Sequence, residues 1–355
     1  REEIPQISSM PPPIERKKPS LFETIVNEEG ALNSPPDLFE SILEEEAPSQ
    51  FPPPRESPRN IIQPPPQQHL KGGAVIAEGY ILRNRLRLLQ SLGEGWLGRV
   101  FLAEDVFFGG RYAVKILHKH FSYHQDFIHK FIQEFHKIEC LYHPGIVNPY
   151  ALDSDDETQE IFYRMEFLSG KTLKHELEER TKDQTKPPFD SKEIISFLES
   201  MATILTYAHK NKTIHRNLKP SNIFLLRSKE GLVIKILDFG FSKHLNRLNS
   251  PLLSDHFGSL YYVAPELQSG EESNSPTSDV FAMGVILYHM LTGSLPVGMS
   301  PPPSKVFSQF PQKLDRVLAK AMHMHWQNRH PSVNDLLSDV RNALSPKGQV
   351  VQLTL

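Results

Sequence analysis

Residues 215–240 read HRNLKPSNIFLLRSKEGLVIKILDFG. Two compact polar clusters bracket this stretch: His215 to Asn222 at its start, and Asp238-Phe239-Gly240 directly after the strand-like run VIKIL. Either cluster alone could arise by chance, so what lies outward on each side decides its meaning. Upstream stands Leu92-Gly93-Glu94-Gly95-Trp96-Leu97-Gly98-Arg99-Val100. Glycines at that spacing let a hairpin backbone lie close over phosphates and present its N–H groups to them. A dinucleotide-binding version of G-x-G-x-x-G should open a helix, whereas here RVFLAEDV follows and reads as a strand. No G-x-x-x-x-G-K-[ST] is present, which disfavours a P-loop enzyme.

Fifteen residues after Val100 comes Ala113-Val114-Lys115 on the next strand-like run. Glu134 falls on the helix-patterned stretch DFIHKFIQEFHKIECLY, where it could pair with Lys115, and His143-Pro144-Gly145-Ile146-Val147 begins nine residues later. Downstream of the opening stretch are Ala264-Pro265-Glu266, Ser278-Asp279 with Gly284 in an apolar helix, and Arg329 within NRHPSVNDLL.

Between these landmarks the pattern changes period. YILRNRLRLLQSLG, RVFLAEDV and RYAVKIL read as strands, as do the runs around IVNPYAL and EIFYRMEFL. Beyond Gly170 the pattern is mainly helical, as in SKEIISFLESMATILTYAHK and SDVFAMGVILYHMLTG. Strands first and helices afterwards give an α+β body with a small sheet-rich lobe and a larger helical lobe. A pocket between two such lobes is the expected binding site.

Composition removes several classes. A net charge of −3 over 355 residues gives no broad basic surface for nucleic acid. One cysteine cannot form an intrachain disulfide or a cysteine-based zinc site. No apolar run reaches the roughly 18 residues of a membrane span, and the N-terminus lacks a signal-peptide core; the expected location is cytoplasmic. The chain starts at Arg1 rather than Met, as a fragment or trimmed chain does.

Of the 30 prolines, 15 lie at or before Pro66, and residues up to Gly72 carry 7 Lys/Arg against 12 Asp/Glu, a net −5 that leaves +2 for the rest. Such a stretch cannot bury enough apolar surface to offset the entropy of ordering it. The expected organisation is therefore a disordered leader over residues 1–73, a folded domain over 74–345 whose lobes divide near residue 168, and a tail over 346–355. The leader repeats itself: LFETIVNEE at 21–29 and LFESILEEE at 38–46 each place apolar residues on one helical stripe among acids. These are either remnants of a duplicated amphipathic helix or two copies of a docking peptide for a partner or for the body of the same chain.

In order and spacing the six motifs resemble the eukaryotic-type serine/threonine protein kinase family, as its bacterial members also show it, across about residues 80–343. Lys219-Pro220-Ser221 resembles the serine/threonine branch, and Arg329 the late arginine that pins Glu266. The resemblance implies a bilobal fold binding ATP and Mg²⁺ and acting on a protein substrate. Lys115 would contact the α- and β-phosphates and be held by Glu134, with Leu92, Gly93, Glu94, Gly95 and Gly98 above them. Asp238 and Asn222 would ligate Mg²⁺, a hard cation suited to carboxylate and amide oxygens. Met165 matches the gatekeeper, followed by a hinge at Glu166, Phe167 and Leu168. Val100 and Ala113 above and Phe224 below would enclose adenine. His215, Phe239 and Ile138 match the stack that aligns the lobes.

One position departs from the pattern: the family's His-Arg-Asp is here His215-Arg216-Asn217. A carboxamide oxygen can orient a substrate hydroxyl but has negligible basicity, and general-base help is worth about 10²- to 10⁴-fold. Phosphoryl transfer rests mainly on positioning and charge neutralisation, so the implied activity is weak or absent rather than necessarily abolished. A natural pseudokinase or weak kinase, an engineered Asp→Asn change and a kinase with a substitute base all remain open, as does a non-enzymatic scaffold. Ser250 and Ser254 face an intact Arg216 as expected regulatory phosphosites, and Ser259 matches the residue that contacts Lys219.

Overall fold

The computed structural model describes residues 75–95, 97–228, 231–240, 260–269 and 275–345, all within a unit spanning Ala74–Leu355. The expected leader with its repeat and the expected C-terminal tail lie outside the described residues.

The first half is a six-stranded antiparallel sheet of β1 (Ile81–Leu82), β2 (Leu86–Glu94), β3 (Gly98–Asp105), β4 (Arg111–Leu117), β5 (Pro149–Ser154) and β6 (Ile161–Glu166), in the order β1-β2-β3-β4-β6-β5. In β2, buried Leu86 and Leu88 flank exposed Arg87, the two-residue alternation of a strand with one wet face. By contrast Ala113 to Leu117 of β4 are all buried. One face of β4 joins a core of Leu82, Leu88, Phe101, Val114, Ile116 and Phe162. On the other lies α1 (Gln125–Glu139), whose Phe131 and Phe135 approach Tyr163 at 6.2 and 5.8 Å between ring centroids.

Three boundaries differ from expectation, each for a local reason. The run from Tyr80 to Gly93 is two strands, because Arg83 and Asn84 adopt left-handed φ of 48° and 52° in a tight turn. That turn is fastened by Asp155 and Asp153, which accept from the Arg83 backbone N–H (3.2 Å) and guanidinium (2.9 Å). Helix α1 stops at Glu139 rather than running to Tyr142, since the Asn148 amide donates to the freed carbonyls of Glu139 and Leu141 at 3.2 and 2.8 Å. Strand β5 starts at Pro149 because Ile146 and Val147 instead bridge to Ile236. Gly145 permits that approach: a Cβ there would lie 2.4 Å from Ile204 Cδ1.

The second half is mainly helical. It contains a three-stranded sheet of β7 (Lys171–Thr172), β8 (Ile223–Ser228) and β9 (Gly231–Ile236), with α2 (Leu173–Arg180) and α3 (Ser191–Lys210). Further on come α4 (Pro265–Gln268), α5 (Thr277–Thr292), α6 (Pro303–Val306), α7 (Gln312–Ala321) and α8 (Val333–Leu344). A capping box between Asp190 and Glu193 starts α3, satisfying orphan N–H groups from both ends of the motif. Helix α5 is buried almost throughout, the pattern of a central helix, and ends at Gly293 with φ 75°. No helix among the described residues is long and apolar enough to cross a membrane.

Candidate active site

The site is assembled where the sheet meets the helical half. Strand register puts Val100 opposite Lys115, Lys115 opposite Tyr163, and Ala113 opposite Met165, so these residues share one face. Gly98 begins β3 with its Cα so close to β4 that a Cβ would lie 1.9 Å from the Ile116 carbonyl oxygen. Gly95 and Gly98 exchange both backbone hydrogen bonds, at 2.9 and 3.2 Å, closing the glycine hairpin. Gly93 has φ 150°, which few other residues adopt. Leu92 and Glu94, flanking it, are exposed.

At the end of β6, Met165 and Leu168 are buried while the Glu166 carboxylate pairs with Lys235 of β9. Lys235 is the cross-strand partner of Phe224, so this ion pair ties the Glu166–Leu168 connection to the strands that carry Phe224. The sequence gives no sign of that tie, because a lysine and a glutamate 69 positions apart show no periodicity.

The central contact is Lys115 with Asp238. The ammonium donates to both carboxylate oxygens at 2.7 Å, with side chains 6% and 20% exposed. Burial alone would raise the Asp238 pKa, but the Lys115 charge and hydrogen bonds hold it below the usual carboxylate value, so the group stays ionised. The expected Lys115–Glu134 pairing is not what the geometry presents. Glu134 is buried, accepts from Lys137 at 3.0 Å, and has Oε2 3.6 Å from where a Cβ on Gly240 would stand. The acid is therefore beside the Asp238-Phe239-Gly240 turn, while the lysine it was expected to hold is on Asp238.

Asp279 organises the segment that begins at His215. Fully buried at the start of α5, its carboxylate accepts the backbone N–H groups of His215 and Arg216, each at 2.9 Å, and faces His209 Nε2 at 2.7 Å. Burial would raise its pKa, yet the bond and charge of His209 and the His215 backbone N–H keep it low. Arg216 is held at φ 64° and Asp238 at φ 59°, conformations that cost of order 1–3 kcal/mol each and persist only where the surroundings impose them. His215 donates from Nε2 to the Leu237 carbonyl at 2.8 Å and accepts the Asn217 N–H on Nδ1 at 3.3 Å, a neutral tautomer in keeping with a pKa lowered by burial. Its ring lies 4.6 Å from that of Phe239, and Ile138 packs beside Gly240, so the three residues of the expected stack come together.

Asn222 donates from Nδ2 to the Asn217 carbonyl at 2.9 Å, which leaves Oδ1 available to a cation. An Asp and an Asn are a sparse ligand set, the kind Mg²⁺ completes with phosphate oxygens and water. Among the described residues no group of three or more His, Cys, Asp or Glu could hold a metal by itself. Lys219 has its pKa lowered, chiefly by burial, with Lys115 and Lys174 acting in the same direction against Asp238. The Asn217 side chain is half-buried two residues earlier. Ser250, Ser254 and Ser259 lie outside the described residues.

Farther back, Glu266 and Arg329 form a two-pronged ion pair at 2.8 and 2.7 Å, with Ser278 donating to Glu266 at 2.9 Å. Nearby, the Tyr262 hydroxyl meets His289 Nδ1 at 2.8 Å.

A sheet-rich and a helical half, joined by a lysine–aspartate pair under a glycine hairpin, define the class of two-lobed phosphotransferase folds. The model of the protein kinase domain matches residues 86–345, and the chain belongs to the protein kinase family. A probable serine/threonine-protein kinase of Clostridium perfringens is 32% identical over 276 residues, covering 74% of this chain and 38% of that protein. PrkC of Bacillus subtilis, a serine/threonine-protein kinase, is 27% identical over 279 residues, covering 75% and 41%. The chain thus spans about two fifths of the length of these relatives. Among solved structures, the PknI kinase domain of Mycobacterium tuberculosis superposes with a TM-score of 0.59 at 22% identity, over 76% of this chain and 100% of that one, a likeness of fold.

Proposed function

We propose that the protein binds Mg-ATP between its lobes and transfers the γ-phosphate to serine or threonine hydroxyls of a protein weakly or not at all, because Asn217 replaces the family's aspartate. The observation that best supports this is the Lys115–Asp238 pair, a poised pair of opposite charges beside a catalytic loop that lacks only a base. Lys115 would move to the α- and β-phosphates, and Asp238 with Asn222 Oδ1 would hold Mg²⁺, which neutralises phosphate charge when bound. Leu92, Gly93, Glu94, Gly95 and Gly98 would cover the phosphates. Val100, Ala113, Met165, Phe224 and the backbone of Glu166 and Leu168 would take adenine, with Glu134 acting on the Asp238 turn.

Asn217 can accept a hydrogen bond from the substrate hydroxyl but cannot take its proton. That loss raises the barrier by roughly 3–5 kcal/mol, the equivalent of about 10²- to 10⁴-fold. The protein would work in the cytoplasm, with Ser250 or Ser254 modified opposite Arg216 and Ser259 bonded to Lys219. Calorimetric titration with Mg-ATP tests the nucleotide reading: binding that Lys115→Met weakens at least about tenfold supports it, and no binding by the parent chain refutes it.

The leader repeat favours a second reading, a pseudokinase scaffold that recruits a protein partner through LFETIVNEE and LFESILEEE. Partner capture that depends on Phe22 and Phe39 and is indifferent to Lys115→Met would favour that reading over catalysis.

A further inference from the structure

We infer that His118 is a positioning residue for the phosphate end of the nucleotide: it staples the tip of the glycine hairpin to the end of β4, three residues beyond Lys115. The inference rests on the nucleotide reading above but uses a residue that none of the kinase motifs contains. The His118 ring, with its side chain 17% exposed, donates from Nε2 to the Gly95 carbonyl at 2.8 Å, which fixes a proton on that nitrogen. The His118 backbone N–H donates to the Leu97 carbonyl at 3.0 Å. One residue therefore grips both sides of the hairpin tip.

The grip is built rather than incidental. Gly95 oxygen also accepts the Gly98 N–H at 3.2 Å, so both of its lone pairs are engaged. The other ring nitrogen of His118 stands 3.8 Å from the Glu94 carboxylate. Immediately beyond, the single turn Lys119–Tyr123 is anchored by Phe121, which is fully buried and stacks on Phe127 of α1 with centroids 4.5 Å apart. His118 thus hangs between a glycine-rich hairpin and a fixed aromatic anchor.

Three glycines within six residues give that hairpin much conformational freedom to lose. Two hydrogen bonds from His118 restrict this freedom before a ligand arrives, so less ordering remains to be done when phosphates dock against the hairpin N–H groups. His118 itself needs no contact with the nucleotide.

The test uses the full chain and its His118→Ala and His118→Gln variants, glutamine keeping an N–H donor. Amide exchange of Gly95 and Gly98 is measured without nucleotide, alongside affinities for Mg-ATP and for adenosine. His118→Ala should speed that exchange and weaken Mg-ATP by roughly 3- to 10-fold, the span of one net hydrogen bond. Adenosine affinity should stay within about twofold, because adenosine does not touch the hairpin, and His118→Gln should recover most of both effects. Unchanged exchange overturns the staple. Equal loss of adenosine and Mg-ATP, or no recovery by glutamine, overturns its positioning role and leaves a general structural one. If the parent chain binds no Mg-ATP while exchange still accelerates in His118→Ala, the nucleotide reading is what has failed, and the staple stands without that purpose.

Discussion

Two buried ion pairs, one within the helical half and one joining the two halves, show how much the surroundings of a pair decide its use. Arg329 and Glu266 have side chains 0% and 4% exposed. Beyond its two bonds to Glu266, the guanidinium donates to the carbonyls of His323, Met324 and Thr277 at 2.7, 3.2 and 3.1 Å and lies 4.9 Å from the Phe281 ring centroid. Lys115 and Asp238 are equally close, yet both prongs of the ammonium go to the same carboxylate, which is one-fifth exposed. The first pair has spent its donors on fixed backbone, so nothing is left to exchange. Among the described residues the Lys115 ammonium hydrogen-bonds Asp238 alone, and a ligand carrying phosphate and a cation can replace the partner on each side.

Removing the arginine from the first pair is the harshest break. Arg329→Ala leaves Glu266 charged and buried and strips three carbonyls of their donor, a loss expected at about 3–5 kcal/mol. Urea unfolding reads it directly, and a change below about 1 kcal/mol would mean the pair is less closed to water than its geometry indicates. Lys115→Met should behave in the opposite way. Asp238 can rehydrate, so the stability cost should stay well under that of Arg329→Ala, while Mg-ATP affinity falls about 10-fold or more. Equal destabilisation by the two variants would erase the distinction between a structural and an exchangeable pair.

Gly98→Ala sharpens the comparison from the hairpin side. A methyl placed 1.9 Å from the Ile116 oxygen forces β3 from β4 one residue from Lys115, and overpacking of this kind costs about 1–3 kcal/mol. The variant should lose Mg-ATP affinity with stability, whereas Arg329→Ala at reduced denaturant, while still folded, should keep its affinity.

The smallest effect is on acid stability. Burial lowers the His289 pKa from 6.5 to about 4, and as a neutral ring it accepts the Tyr262 hydroxyl. The unfolded chain then binds a proton that the folded protein refuses, so stability falls as pH drops from about 6.5 towards 4. His215, His143 and His330, also lowered by burial, act in the same direction. For His289, which is partly exposed, a contribution of about 1 kcal/mol is expected, and His289→Gln should flatten the unfolding midpoint against pH by that amount. A slope unchanged by the substitution would show that the ring is not the group being titrated.

Much of this was written in the sequence. The change from two-residue alternation to helical spacing beyond Gly170 foretold the two halves, and α3 spans the same residues, Ser191–Lys210, as the helical run that announced it. The pairing of Arg329 with Glu266, and the convergence of His215, Phe239 and Ile138, followed from spacing against a known family. What stayed hidden were contacts made by polar residues with no periodic signature. Asp279 was visible as a motif, but nothing in the chain told that its carboxylate would take two backbone N–H groups 63 and 64 positions away. His118 and Lys235 look like ordinary polar residues until the fold brings Gly95 and Glu166 to them. The reading that gives Lys115 to Glu134 had no account of where the Asp238 turn would fall, and only the placement of α1 and that turn puts the lysine on Asp238.

The central claim is that the charged apparatus is competent and that position 217 is what limits it. Phosphate transfer from Mg-ATP to a generic serine/threonine substrate should be measured for this chain, Asn217→Asp and Asn217→Asp/Lys115→Met under one set of conditions. A gain of about 10²-fold or more in Asn217→Asp, lost again in the double variant, is the predicted result. Equal rates for this chain and Asn217→Asp would contradict it and show that another group already serves as the base.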